Sequence, residues 1–367
     1  MEKIRILQIV SSLSVSSGVM GVIMNYYRHI NRNKIQFDFL YFIEDEKNHK
    51  DEITELGGNY YLLRKPSIKS YTEYKSFFKE NARKYSAVHL HEVYLNSIIL
   101  PIARKYKIKH LITHVHTTKF SDKRLNAIRN KILCLPIKGQ ANKFLACSRP
   151  AGELYYGKKA SNDGRVIVIN NAIYCEKFKY NELVRNQKRK EMGLEDNLVI
   201  GHIGRFNEQK NHMFLIDIFK DIKWQKEKAK LILVGNGPLL TKVKEKVERL
   251  GLKNDVLFLG QRNDISDLLQ VMDVFVLPSL FEGLGIVLLE AQCSGLPCYA
   301  SDVVPQEANV TDNFHYLSLN DKSKKWATEI LSAKSENDRS VSYLKVMKYG
   351  FDIIEESKKL ENLYYEL

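Results

Sequence analysis

Cysteine is scarce in this chain and has no pattern. Its five cysteines, Cys134, Cys147, Cys175, Cys293 and Cys298, make an odd number with no Cys-x-x-Cys spacing, so neither a disulfide framework nor a cysteine zinc site is indicated. Long apolar runs are missing too. None reaches the roughly 18 residues that a membrane span needs. The apolar start "MEKIRILQIVSS" has no small-residue cleavage site after it, so it reads as a first buried strand, and cytosolic residence is the expectation. Two phosphate-binding signatures are also absent. No Gly-x-Gly-x-x-Gly and no Gly-x-x-x-x-Gly-Lys-Ser/Thr occurs, which removes the usual support for a dinucleotide oxidoreductase or a P-loop enzyme.

Acidic residues are sparse in one half only. The net charge is +14; residues 1–178 hold 30 Lys and Arg against 15 Asp and Glu, whereas residues 179–367 hold 27 against 28. The whole excess lies in the first half, which points that half toward an anionic partner. Its densest stretch, 119–143, carries seven Lys and Arg and one acid, with Leu125, Ile128, Ile132 and Leu135 at helical spacing. It reads as a basic amphipathic helix, suited to an anionic surface. Alternatively it is a solvated helix with its apolar face on the core. No motif of a nucleic-acid-binding module accompanies the charge, so no nucleic acid is expected.

At 367 residues the chain exceeds the size of one growing core, which predicts two domains. Short β-branched runs alternate with helical patterns at 4–10, 36–43, 87–91, 110–115, 143–147 and 166–169. The alternation restarts at 198–203, 230–235, 256–260, 273–278 and 297–301. Two such series predict two doubly wound parallel sheets, an α/β architecture. The seam falls in 170–180, "NNAIYCEKFKY", which divides the chain into 1–175 and 176–349. A final amphipathic helix, about 350–367, can pack back on either domain.

Ligands of open parallel sheets bind beyond the carboxyl ends of the strands, and the notable residues lie there. After "LVIGHI" comes "GRFNEQKNH", with Gly204, Arg205 and Lys210 ahead of a helix from about His212. A glycine, a fork of donors and a point charge at a helix start suit a phosphate, although two surface cations are the plainer reading. After "KLILVG" (230–235) comes the turn Gly235-Asn236-Gly237-Pro238, where a backbone can approach a ligand closely. After "DVFVLPS" comes "LFEGLGIVLLEAQCSGLP". Gly283 and Gly285 mark a tight loop, a helix is predicted over 286–294, and Gly295 and Pro297 end it. Glu282 then sits in the loop and Glu290 inside a helix that is apolar nearly all round. Such a glutamate wants hydroxyl or amide donors, as a polyol offers, or a core cation. Glu282 could equally serve the helix dipole. In the first half, Gly18 opens a helix after the first strand, and His91 and His116 follow two strands of one sheet.

These residues resemble the retaining GT-B glycosyltransferases of glycosyltransferase family 4, in particular the bacterial capsular and exopolysaccharide transferases. The resemblance is carried by Glu282-x7-Glu290 within "PSLFEGLGIVLLEAQCSGLP", flanked in order by "GRFNEQKN" and "GNGP". It implies two Rossmann-like domains facing across a cleft, the first for the acceptor and the second for a nucleotide sugar, UDP-sugar favoured over GDP-sugar. It further implies that Arg205 and Lys210 hold the donor diphosphate, that Glu282 accepts from donor-sugar hydroxyls and that Glu290 takes the ribose hydroxyls. Gly204, Gly235, Asn236, Gly237, Gly283, Leu284, Gly285 and Ile286 would complete the donor site, with Gly18 and His116 facing it from the first domain. His91 and Glu92 are candidates for the acceptor side. No Asp-x-Asp occurs, which agrees with a family that needs no metal or other cofactor. Retention in the family is attributed to same-face attack by the acceptor. That acceptor is typically a polyprenyl-diphosphate-linked saccharide at the inner membrane face, which implies a cytoplasmic protein held peripherally on an anionic membrane.

The chain also departs from the family pattern. The first glycine loop reads Ser17-Gly18-Val19 where two glycines are usual, Gly21 stands where a basic residue is common, and Ala172 replaces a frequent glycine at the seam. Two other readings stand beside sugar transfer: a nucleotide-sugar epimerase of the same fold, and a transferase-like scaffold subunit without catalysis.

Overall fold

The apolar runs become strands because each lies between two helical layers. The computed structural model, which describes residues 3–121, 124–332 and 338–367, separates into a unit of residues 1–172 and 353–367 and a unit of residues 173–352. The first unit is a parallel sheet of β1 (Ile4–Ile9), β2 (Ile35–Tyr41), β3 (Tyr60–Leu62), β4 (Ala87–Leu90), β5 (His110–Val115), β6 (Lys143–Ala146) and β7 (Val166–Val168). Its order is β3-β2-β1-β4-β5-β6-β7. Every residue of β2, "IQFDFLY", is buried, as expected of a parallel strand covered on both faces. The buried Asp38 in it pairs with Arg5 at 2.8 Å. Helix α1 (Gly18–His29) follows β1 and is capped by Ser17, whose side chain accepts from the Met20 N–H. Helix α2 (Arg124–Cys134) lies within the basic stretch; Asp122 and Lys123 of that stretch fall outside the described residues.

The second unit repeats the plan with β8 (Leu198–Ile203), β9 (Ala229–Val234), β10 (Val256–Gly260), β11 (Val274–Leu277), β12 (Cys298–Ser301) and β13 (Phe314–Leu317). All pairs are parallel, in the order β10-β9-β8-β11-β12-β13. Helix α3 (His212–Gln225) follows β8 and α4 (Ile286–Cys293) follows β11. Gly295, at φ +68°, closes the turn after α4, the left-handed position that favours glycine. The Ile173 N–H donates to the Phe351 carbonyl at 2.9 Å, so the segments entering and leaving this unit are joined. Past them, α5 (Ile353–Tyr365) belongs to the first unit. Its Tyr364 is fully buried, edge-on to Phe37 at 5.8 Å.

Two strands escape the sequence pattern, β3 and β13, and both lie at sheet edges. An edge strand buries less, so Tyr60 and Leu62 stay exposed in β3 and "FHYL" in β13 carries a histidine. In each sheet the strand order reverses beside the first strand, between β1 and β4 and between β8 and β11. Loops at the carboxyl ends of those strands flank the switch points at which open parallel sheets bind ligands.

Candidate functional site

The loops after β8 and β9 lie backbone against backbone. Gly235 has φ +136°, and a Cβ there would come within 2.1 Å of the Gly204 carbonyl oxygen. A Cβ on Gly237 would come within 2.5 Å of the Phe206 carbonyl oxygen. The Phe206 N–H donates to the Asn236 carbonyl at 3.0 Å, and the Leu239 N–H donates to the Phe206 carbonyl at 2.9 Å. Only glycine permits this approach. A Cβ on Gly204 would stand 3.1 Å from Lys210 Cγ, so the Lys210 stem passes directly over it. Arg205 beside it is exposed and makes no side-chain hydrogen bond to the described residues, leaving a guanidinium fork for an anion.

Lys210 ties the β8 loop to the β11 loop. Asn211 takes a left-handed φ of +52° at the start of α3, and the Lys210 N–H donates to Asn207 Oδ1 at 3.2 Å. Lys210 Nζ then reaches Glu282 Oε1 at 2.6 Å, with the two side chains only 15% and 6% exposed. Gln209 holds the other side. Its Nε2 donates to Glu282 Oε2 at 3.4 Å and to the Phe281 carbonyl at 3.0 Å, while its carbonyl accepts from the Leu280 N–H at 2.7 Å. Both carboxylate oxygens are thus held by donors at the switch point of the sheet.

Beyond Glu282 the chain turns at Gly283, which is exposed, and at Gly285, φ +76°, which precedes α4. No side chain caps α4 and no acid sits in its first turn; the Leu288 N–H donates to the Gly285 carbonyl at 2.7 Å, and the N–H groups of Ile286 and Val287 ahead of it, with the helix dipole, suit an anion. Leu284 and Ile286 pack on the core and fix the loop from below. One turn further, Glu290 is partly exposed and makes no side-chain hydrogen bond to described residues. Burial pushes its carboxyl up to about 7, and Lys177 pulls only weakly the other way. Gln292 behind it is buried and saturated: its Oε1 accepts from Val310 N, Thr311 N and Thr311 Oγ1, each at 3.0 Å.

In the first unit, His91 and His116 come together. His91 Nδ1 lies 2.7 Å from His116 Nε2, and His91 Nε2 lies 2.8 Å from Gln8 Oε1. With Gln8 Oε1 accepting, His91 carries its proton on Nε2, and His116 donates from Nε2. Burial keeps both rings neutral, with His116 lowered to about 4 and His91 well below its ordinary value. Glu92 is half-buried next to Tyr94. A Cβ on Gly18 or Gly21 would meet nothing within 4 Å, so packing requires neither glycine. Helix α2 has its apolar residues outward: Leu125, Ile128 and Ile132 are 83%, 54% and 60% exposed. The alternative of an apolar face on the core does not hold there, and only Cys134 of the helix is buried.

The family model described as "Glycosyl transferases group 1" matches residues 184–346, the segment that carries Gly204, Arg205, Lys210, Gly235, Glu282 and Glu290. The chain is 32% identical to EpsF of Bacillus subtilis strain 168, a protein named as a glycosyltransferase, over 98% of this chain and 96% of that one. The chain belongs to the group 1 glycosyltransferases. It is also 28% identical, over 80% of its length and 78% of the relative, to an Escherichia coli enzyme. That enzyme is named UDP-Gal:alpha-D-GlcNAc-diphosphoundecaprenol alpha-1,3-galactosyltransferase. Among solved structures, Anabaena Alr3699/HepE in complex with UDP superposes with a TM-score of 0.78 at 19% identity, covering all of both chains. The fold of this transferase is therefore GT-B, two Rossmann-like α/β units.

Sequence reasoning about the transferase missed Gln209, His89 and His114. Gln209 sits inside "GRFNEQKN" with no feature to separate it from a solvated glutamine. His89 and His114 did carry a signal, because "HLH" and "HVH" each place two histidines on one face of a strand.

Proposed function

We propose that this glycosyltransferase moves a sugar, with retention, from a UDP-sugar to a lipid-linked saccharide in the synthesis of a cell-surface polysaccharide. The observation that carries the reading is the Lys210–Glu282 pair, 2.6 Å apart at the β8/β11 switch point beside an uncapped helix start. In this reading the donor diphosphate meets Arg205, Lys210 and the first N–H groups of α4. These groups are preorganised for the negative charge that grows on the leaving diphosphate as the glycosidic bond breaks. Glu282, held rigid by Lys210 and Gln209, offers its remaining lone pairs to vicinal sugar hydroxyls. Glu290 takes the ribose hydroxyls, whose two donors favour the ionised carboxylate over the neutral acid. Gly235, Asn236 and Gly237 line the floor of the donor site, and Gly18 and His116 serve the transferring sugar, with His91 and Glu92 on the acceptor side. Diphosphate charge is met by side chains and backbone donors, so transfer proceeds without a metal at the diphosphate or any other cofactor.

The exposed apolar face of α2, flanked by Arg124, Arg129 and Lys131, supports peripheral attachment to the inner face of an anionic membrane, where such an acceptor resides. Each near-surface Lys or Arg is worth on the order of 1 kcal/mol there. A nucleotide panel read by thermal shift tests the donor assignment. UDP and a UDP-sugar should each raise the melting temperature, and the true donor should be slowly hydrolysed to UDP and free sugar, with water in the place of the acceptor. Equal response to all nucleotides, or to none, overturns it.

A further inference from the structure

Two His-x-His segments lie side by side in the first unit. The β4–β5 ladder runs from Ala87↔His110 to Leu90↔Thr113, so His91 and His114 fall level just past it. His89, His91, His114 and His116 therefore share one face of the sheet. The rings are packed together, with centroids 4.3 Å apart for His89–His91 and 4.1 Å for His114–His116. His89, His91 and His114 are buried. Several of their polar atoms are left over: His89 Nε2, both nitrogens of His114 and His116 Nδ1 are buried with no hydrogen-bond partner among the described residues. Orphaned buried polar atoms each cost about 1–3 kcal/mol, and native interiors rarely gather four at one place. The four rings also border a cavity shared with Gln8, Tyr26 and Tyr364.

We propose that this cluster binds one divalent transition metal of the imidazole-preferring kind, such as zinc, as a structural tie between β4 and β5. His89, His91 and His114 each bring a ring nitrogen within 4.8 Å of the other two. A four-coordinate ion with bonds near 2.0–2.1 Å needs about 3.3 Å between ligand nitrogens, a closure within reach of imidazole rotation. Neutral imidazole is the ligating form, and burial holds all four rings neutral.

Two of the four rings already have an outer-shell partner. His89 Nδ1 lies 2.7 Å from Tyr364 Oη, which leaves Nε2 for the ion. His91 Nε2 donates to Gln8 Oε1, which leaves Nδ1. Such partners on the far ring nitrogen fix the tautomer and orientation of metal-bound histidines. His116 Nε2, 2.7 Å from His91 Nδ1, becomes the fourth ligand when its proton moves to its own Nδ1. No carboxylate is among the groups lining the cavity, so hard cations such as magnesium or calcium are not matched. His91 and His116 also figure in the sugar-transfer reading, but zinc retention and the cobalt spectrum are read without donor or acceptor, so either reading can fail while the other stands.

Full-length protein stripped with a chelator and titrated with zinc chloride tests it. One equivalent should be retained through gel filtration, with a rise in melting temperature. Cobalt chloride should give the visible absorption of a four-coordinate ion. Tyr364→Phe keeps every ligand but removes an outer-shell partner, and should weaken zinc binding roughly 10- to 100-fold. His89→Gln and His114→Gln should lose more than that, with the fold checked by circular dichroism. Absence of both zinc retention and the cobalt spectrum in the wild-type protein overturns the proposal, and this measurement stands even where a variant fails to fold. Binding undiminished in both histidine variants overturns it equally, and assigns the ion to another site.

Discussion

Replacing Glu290 by glutamine removes a charge while keeping the shape of the side chain, so it separates what the carboxylate costs from what it does. Its folded pKa is raised to about 7 from an ordinary 4.5 by burial. A raised carboxyl is a group whose stabilising contribution is fully present below pH 4.5 and is lost as the pH climbs through 7. At pH 8.5 the folded protein holds an ionised, partly desolvated carboxylate at a cost of about 3 kcal/mol for this shift. Residual exposure lets water recover part of that, bringing it to about 2 kcal/mol. At pH 5 the group is mostly neutral and the cost is under about 1 kcal/mol. Glu290→Gln should therefore raise the melting temperature of the second unit at pH 8.5 by roughly 4–8 °C, at 2–4 °C per kcal/mol, and by much less at pH 5. The same substitution should weaken UDP binding roughly 10- to 100-fold at pH 8.5, the worth of hydrogen bonds to a charged acceptor. Differential scanning calorimetry at the two pH values, with calorimetric titration of UDP, reads both effects. A variant whose stability offset is the same at pH 5 and pH 8.5 would refute the argument, because Glu290 would then titrate in the ordinary range. The pairing of a gain in stability with a loss of affinity is the signature of a site that carries a charge for its ligand rather than for its fold.

Two further outcomes follow from the same geometry. Lys210→Ala should reduce transfer at least 100-fold, as loss of a preorganised charge donor does. It should also destabilise the second unit by about 3 kcal/mol, because Glu282, 6% exposed, keeps only Gln209 as a side-chain donor among the described residues; full activity in a steady-state assay would remove Lys210 from the site. Ile128→Glu with Ile132→Glu should abolish co-sedimentation with phosphatidylglycerol vesicles at low salt while leaving UDP binding unchanged. If the wild-type protein binds neutral vesicles as well as anionic ones, the basic face of α2 has no such role.

The residues that could be placed from the sequence are those whose surroundings are local. Glu282 and Glu290 are eight positions apart, yet the glycines around 283–285 and the apolar run after them already assign one to a loop and the other to a helix. Gly295 and Pro297 mark the end of that helix for the same reason. The central strands were legible because burial on both faces makes them mostly apolar, as in β11. Edge strands β3 and β13 were not, since each is only three or four residues long and partly solvated, too short for a pattern to show. Helix α2 was legible as amphipathic, but the direction of its apolar face was not, because periodicity is the same whether a stripe meets a core or faces out.

What the sequence by itself determined is the alternation of strand and helix in two series, the glycines where one backbone must pass another, and the charge imbalance between halves. Each follows from chemistry within a few residues, or from composition alone. Tertiary structure decided which strand lies beside which, and with it every contact between distant positions. Lys210 meets Glu282 across 72 residues because β8 and β11 are neighbours at a crossover. His89 and His91 meet His114 and His116 because β4 pairs with β5, and Tyr364 reaches His89 across 275 residues because the last helix returns to the first unit. The pKa of Glu290 belongs to this second group as well. A carboxyl has its ordinary value in the unfolded chain, and only the packing of α4 takes the water away.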